Sequence, residues 1–415
     1  PAGPLVRMAF GLAGRPVTLA RRGAGLAGDL LRATGGSDAR DRLVRARRAA
    51  RSAVDRLIDD AGLDDRDVRR LRDGLAALDV LGDAFLPAVP AEPPPQAPRL
   101  VVGEQVAAAA GAVVLRTPVF ELIQYLPRTE TVREVPLLVV GPLANRHYLA
   151  DLAPRRSMVE HLVAGGQQVF AMVWHNPGPA DADRGLDTYA GALLAALDAC
   201  ERISRTPSTA LLAFGSAGAV TAALLGDLAA TGTGQRVAAL TLAGPVLAAQ
   251  VGADPPTRQP SPELRFWADD TLCVPQALHA DLADIAVRDT LAQPGAVHVL
   301  GTPVDLAKVD HDTYVVAGER GPWRSAYRTA RLLGGDCRFV MATGGPVEAV
   351  VGPADGFRAG PATVADAYRW PAAAATVAGS WWDDHRDWLA ARSGPLVDAP
   401  PELGGRGLHA LAPTP

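Results

Sequence analysis

The chain's apolar pattern predicts an α/β fold built on a mostly parallel sheet with helices over both faces. Two observations carry this reading. Short, continuously apolar runs alternate with longer helical segments. One of those runs passes through a tight turn of small residues directly into a buried helix. A strand sandwiched between helices has no wet side, so it reads as an unbroken apolar run rather than an alternating one.

Taken in order, Leu137 to Val140 is a strand, Ser157 to Ala164 a helix, Val169 to Trp174 a strand and Leu186 to Ile203 a helix. Ala210 to Phe214 is a strand, Val220 to Ala230 a buried helix, and Val237 to Leu242 a strand. After an irregular Pro-rich piece, Thr313 to Ala317 and Cys337 to Ala342 are two more strands, around a helix from Trp323 to Leu333. Leu193, Leu194, Leu197, Cys200 and Ile203 share one helical register, which makes Cys200 a core residue.

Ahead of these elements, residues 1–86 read as a separate helical region. Leu43, Ala46, Ala50, Val54 and Leu57 recur at helical steps, as do Val68, Leu71, Leu75 and Leu78. Arg40, Arg42, Arg45, Arg47, Arg48 and Arg51 interleave with Asp38, Asp41 and Asp55, as on a solvated face; the alternative is contact with an anionic surface. Residues 87–99 form a linker: six prolines fall between Pro87 and Pro98, too many for a helix or a central strand. The α/β domain occupies 100–415.

The 415 residues are 48% hydrophobic and 21% charged, as in ordinary globular proteins, and a net charge of −4 gives no reason to expect nucleic acid or membrane as the main partner. No apolar stretch reaches the ~20 residues of a membrane span. Cys200, Cys273 and Cys337 are odd in number and far apart, which predicts a reducing cytoplasm and no structural metal. The amino end shows no cleavable signal pattern and starts at Pro1, as a trimmed or processed chain would.

The turn in question is Leu211-Leu212-Ala213-Phe214-Gly215-Ser216-Ala217-Gly218-Ala219. It has the strand, sharp turn and helix of a nucleophile elbow, which identifies an α/β-hydrolase fold. The elbow demands small residues two before and two after the nucleophile. With Gly215 in that position the flanks are Ala213 and Ala217, which fit, but glycine has nothing to attack with. With Ser216 there, Gly218 fits and Phe214 does not.

Several further segments resemble the polyhydroxyalkanoate synthases. Gly103-Glu104 to Pro118, Phe120 to Tyr125, Thr129 to Val132, Pro136 to Val140, Asn145 to Tyr148, Asp151 to Pro154, Trp174 to Pro177 and Leu186 to Tyr189 look like the first part of that family's catalytic domain. Pro322 to Arg328, Leu332 to Gly335, Gly379 to Trp382, Trp388-Leu389 and Arg392 to Gly394 are similar to its later part. The resemblance is collinear over roughly residues 100 to 410. It implies an enzyme that holds a growing 3-hydroxyacyl chain on a cysteine thiolate, with coenzyme A leaving, a histidine base and an aspartate that orients it.

Carried onto this chain, that triad is missing. Read without gaps from Ala196-Leu197-Asp198-Ala199, the cysteine position falls on Gly215. The family's aspartate lies in a loop that is here reduced to Glu319-Arg320-Gly321 before Pro322-Trp323. Its histidine follows a Ser-Gly turn, where this chain has Gly344-Gly345-Pro346. The stretch from Leu242 to Trp267 is also short, which predicts a reduced cap over about residues 244–295 and alters both the acyl channel and the dimer contact that the resemblance implies.

The remaining residues offer few substitutes. Ser216 could attack if the turn shifted by one, and Glu319 could replace the aspartate but has no histidine to orient. His147, His161 and His175 precede the elbow, out of the usual chain order for the base. His385 reads as part of a C-terminal helix, and Asp310-His311-Asp312 as a solvated lead-in to its strand rather than a metal site. The expectation is a synthase-like pseudoenzyme without cofactor or metal, in the cytoplasm or at the polymer granule surface. Its partners would be an active synthase, the granule or 3-hydroxyacyl-CoA; the alternatives are an acyltransferase or esterase using Ser216, and a module that binds acyl-CoA or a hydroxyacyl chain.

Overall fold

A computed structural model describes residues 100–244, 261–320, 323–352, 356–405 and 408–409. The expected helical region at 1–86, its arginine run and the linker at 87–99 lie outside the described residues, as does the first part of the expected cap. All described residues belong to one of the two units into which the chain divides.

Ten strands form the main sheet: β1 (Gly111–Arg116), β2 (Phe120–Tyr125), β3 (Leu137–Val140), β4 (Val169–Trp174), β5 (Thr209–Phe214), β6 (Val237–Ala243), β7 (Thr313–Gly318), β8 (Cys337–Ala342), β9 (Gly356–Pro361) and β10 (Ala375–Ala378). Their spatial order is β1-β2-β4-β3-β5-β6-β7-β8-β9-β10. The six from β4 to β8 in that order are mutually parallel. Antiparallel pairs extend the sheet at both ends, β1-β2-β4 on one side and β8-β9-β10 on the other.

The longer helices among the described residues are α1 (Met158–Ala164), α2 (Leu186–Ser204), α3 (Ala217–Ala230), α4 (Pro262–Asp269), α5 (Gln276–Arg288), α6 (Trp323–Ala330) and α7 (Trp381–Ala390). Two apolar layers lie on opposite faces of the sheet. Leu138, Val140, Leu211, Leu240, Val315 and Phe339 pack with residues of α2, α3 and α6. Their strand neighbours Leu137, Val139, Leu212, Tyr314, Val316 and Val340 pack with α1 and α7. Both sides of each central strand are thus covered, which is why these runs contain no polar alternation. Helix α3 is buried on nearly every side, so it needs no polar face. Ser157 caps α1, its Oγ accepting from the Glu160 N–H at 2.9 Å.

Three readings need correction. The strands read from the sequence end at Cys337–Ala342, but β9 and β10 follow it. The helix starting at Trp323 ends at Ala330 rather than Leu333. There Gly334 and Gly335 bring the chain against the backbone of 307–311: a Cβ on either would sit 2.1 Å from the Ala307 carbonyl oxygen or 2.2 Å from that of His311. The segment before β7 is a solvated lead-in only in part: Asp310 is exposed and Asp312 half-buried, but His311 is not exposed. His311 is buried, with Nε2 2.7 Å from the Gly234 carbonyl oxygen, and Asp312 holds Arg392 at 2.8 Å. Cys200 is fully buried, and burial pushes its thiol well up. Among the described residues, no helix is long and apolar enough to cross a membrane.

Strand β5, the turn after Phe214 and the buried helix α3 make the elbow, and on this sheet they define an α/β-hydrolase fold.

Candidate functional site at the carboxyl edge of the sheet

Parallel strands deliver their following loops to one edge of the sheet, and the elbow stands there. Gly215 has φ +53°, in the left-handed region that costs a side chain energy and glycine little. Its N–H donates to the Ala243 carbonyl at 2.9 Å, tying the turn to the end of β6. Ala213 and Ala217 on either side are fully buried. A Cβ placed on Gly215 would meet no heavy atom within 4 Å apart from its chain neighbours. The space in which an attacking atom would stand is therefore open.

Ser216 is the N-cap of α3, at φ −64° and ψ −26°. Its Oγ accepts a hydrogen bond from the Leu143 N–H at 3.1 Å. In this fold the oxyanion is held by the N–H after the nucleophile and by an N–H from the loop after the third strand. Ser216 N–H and Leu143 N–H occupy those two positions here.

The loop bearing Leu143 is clasped from its far side. Asp270 accepts from Arg146 Nε at 3.0 Å and from the Tyr148 hydroxyl at 2.7 Å. Trp267 Nε1 donates to the Arg146 carbonyl at 2.8 Å, and Leu272 N–H to that of Ala144 at 2.8 Å. Asp270→Ala removes the acceptor of both side chains and leaves the Tyr148 hydroxyl, on a residue only 1% exposed, without this partner. The expected cost is about 2–3 kcal/mol, read as a lower denaturant midpoint; Asp270→Asn, which keeps one acceptor, should recover part of it.

The other two expected site positions reach the same edge. Glu319 follows β7 and is exposed; its N–H donates to the Ala342 carbonyl at 2.9 Å. Arg320 N–H donates to the Gly344 carbonyl at 3.1 Å. Pro346 is exposed in the loop after β8, its carbonyl oxygen 3.7 Å from where a Cβ on Gly244 would stand. Backbone bonds thus link the ends of β5, β6, β7 and β8 beneath Gly215, Glu319 and Pro346.

The histidines are distributed otherwise. His147 opens a short 3-10 helix in the connection after β3, and His175 directly follows β4. Burial, with the Arg146 charge adding to it, pushes His147 down to about 4, and its enclosed Nδ1 has no hydrogen-bond partner among the described residues. His385 is fully buried on α7, its Nε2 2.9 Å from Thr241 Oγ1. Among the described residues no histidine is hydrogen-bonded to Ser216 or Glu319, and no group of three or more potential metal ligands occurs.

Leu143 and the Asp270 clasp were not anticipated as site residues. Asn145 to Tyr148 belong to a segment that resembles the synthases, which was the available signal.

The sequence profile described as Poly-beta-hydroxybutyrate polymerase (PhaC) N-terminus matches residues 95–162. Poly(3-hydroxyalkanoate) polymerase 2 of Ectopseudomonas oleovorans is 34% identical over 371 residues, covering 76% of this chain and 66% of the relative. The Poly(3-hydroxyalkanoate) polymerase subunit PhaC of Cupriavidus necator is 29% identical over 378 residues, covering 76% of this chain and 64% of the relative. The chain spans just under two thirds of the length of these curated relatives. Among solved structures, a thermophilic esterase from Thermogutta terrifontis (malate bound) aligns at TM-score 0.41 and 15% identity, over 69% of this chain and 99% of that one. With most of its length aligned to such relatives, the chain belongs to the poly(3-hydroxyalkanoate) polymerase family.

Proposed function

We propose that this chain is a non-catalytic member of its family, acting as an accessory, scaffold or regulator beside an active synthase or at the polymer granule surface. The observation that carries this reading is Gly215, left-handed and flanked by buried Ala213 and Ala217 where the fold presents its nucleophile. Acyl transfer needs an atom to hold the acyl group and a base to free it. Gly215 offers no such atom, and Pro346 has no ring nitrogen able to take a proton. Glu319 can serve as an orienting carboxylate only for an imidazole that the described contacts do not place beside it.

Ser216 is the competing nucleophile, but its Oγ is engaged by the Leu143 N–H and it lies one position beyond the left-handed residue. A specific observation favours a second reading, binding of a 3-hydroxyacyl-CoA or hydroxyacyl chain without turnover: a Cβ on Gly215 would meet no heavy atom within 4 Å apart from its chain neighbours, so the space above the elbow is open. On either reading we assign residues 1–86 to a helical extension, 87–99 to a linker and about 244–295 to a reduced cap on a domain of 100–415.

The test is coenzyme A release from 3-hydroxybutyryl-CoA by the chain alone and then mixed with an active homologue. No release above buffer by the chain alone, with an altered rate or lag for the mixture, is the expected result. A burst of release stoichiometric with this chain, abolished in Ser216→Ala, would overturn it.

A further inference from the structure

Helix α6 carries a polar surface that the elbow does not use. It buries Trp323, Ala326, Tyr327 and Ala330 against the sheet and exposes Arg324 and Arg328 one turn apart. Arg328 is neutralised by Asp289. Arg324 is not: its guanidinium carbon lies 5.1 Å from the Trp323 ring centroid and 4.3 Å from that of Tyr368, and no carboxylate or hydrogen-bond acceptor among the described residues engages it.

Tyr368 is 63% exposed, so its ring remains available to solvent. Arg358 is on the same side of the sheet, since its register partner Met341 belongs to the apolar layer under α6. It donates to the Pro371 carbonyl at 2.6 Å and likewise meets no carboxylate among the described residues.

Aromatic contact fixes a guanidinium in place without neutralising it, and leaves its edge N–H groups free to fork onto phosphate oxygens. An exposed ring beside them offers a stacking surface for a planar base. We propose that Arg324, Arg358 and Tyr368 form a binding site for a nucleoside diphosphate group of the kind that coenzyme A thioesters carry. Only the identity of that natural ligand rests on the acyl-CoA reading above. A lipid surface is a poorer match, because the basic array is short: Arg328 is compensated and Arg369 lies 3.8 Å from Asp366.

Calorimetry on the full chain separates the cases, using ADP, coenzyme A, inorganic pyrophosphate and 3-hydroxybutyryl-pantetheine, which lacks the nucleotide. ADP and coenzyme A should bind saturably, and Arg324→Ala should weaken both about tenfold or more. Tyr368→Ala should weaken ADP and coenzyme A but leave pyrophosphate unchanged. Neither exposed substitution should alter binding of the pantetheine thioester. Absence of saturable heat with ADP and coenzyme A, or an Arg324→Ala variant that binds both as wild type does, would overturn the site. So would Arg324-dependent retention on phosphatidylglycerol vesicles without nucleotide binding. Failure of the pantetheine thioester alone to bind would count against the acyl-binding reading and leave this site standing.

Discussion

Gly318→Ala is expected to cost about 3 kcal/mol or more, at or above the upper end of ordinary overpacking. Gly318 ends β7 and pairs in register with Ala342 of β8. A Cβ there would lie 2.2 Å from the Gly345 carbonyl oxygen, 2.7 Å from its carbon and 3.0 Å from Ala349 Cβ. The intruded atoms are backbone, so no rotamer change can make room. Moving the strands apart would strain the Glu319-to-Ala342 and Arg320-to-Gly344 hydrogen bonds that join the two loops. The comparison is Gly191→Ala, inside α2, where a Cβ meets nothing within 4 Å. That change should stabilise by up to about 1 kcal/mol by removing freedom from the unfolded chain. Denaturant midpoints of the two variants should therefore move in opposite directions. A Gly318→Ala protein as stable as wild type would mean that the loops after β7 and β8 are not packed backbone on backbone.

This close packing also explains what could be read from the sequence around the site. The elbow was legible because its constraint is local: Ala213, Gly215 and Ala217 must be small for reasons contained within a few residues. Leu137–Val140, Val169–Trp174 and Cys337–Ala342 were legible because strands buried on both faces leave unbroken apolar runs. The outer strands gave no such signal. Phe120–Tyr125 is buried throughout yet contains Glu121, paired with Arg116, and Gln124, whose Oε1 accepts from the Gly404 N–H. Gly356–Pro361 begins with glycine and ends with proline, and reads as a loop until its pairing with β8 is known. Ala375–Ala378 is mostly exposed and too short to show a period. The contacts around Leu143 were illegible for a different reason. Ser216 is 73 positions from Leu143, and Asp270 more than 120 from Arg146 and Tyr148, so no spacing rule relates them. His311 shows the same limit: flanking aspartates mark a wet segment by composition, while the Gly234 carbonyl that receives its ring is remote in sequence.

Acidification should destabilise the protein well before its carboxylates are fully protonated, and His385 should be a principal cause. The ring is fully buried among Tyr314, Trp381 and Trp388, with Nε2 on Thr241 Oγ1 and no partner for Nδ1 among the described residues. Burial pushes it down to about 3; the Asp384 charge opposes the shift and His161 adds to it. Because the folded value lies below the unfolded 6.5, the neutral ring's contribution is complete above pH 6.5 and is lost as pH falls toward 3. At about 1.4 kcal/mol per unit, the loss amounts to a few kcal/mol by the time both states are protonated. Domains have only about 5–15 kcal/mol of stability in total. Unfolding free energy should therefore fall more steeply with acid in wild type than in His385→Gln, which cannot titrate there but can still hydrogen-bond Thr241. Parallel curves for the two proteins would show that the ring is not the titrating group. Thr241 stands on β6, whose Ala243 carbonyl holds the Gly215 N–H. Amide exchange at Gly215 should accordingly accelerate over the same pH interval, relative to His385→Gln at each pH, because loosening the strand beneath the elbow removes the acceptor that fixes its turn.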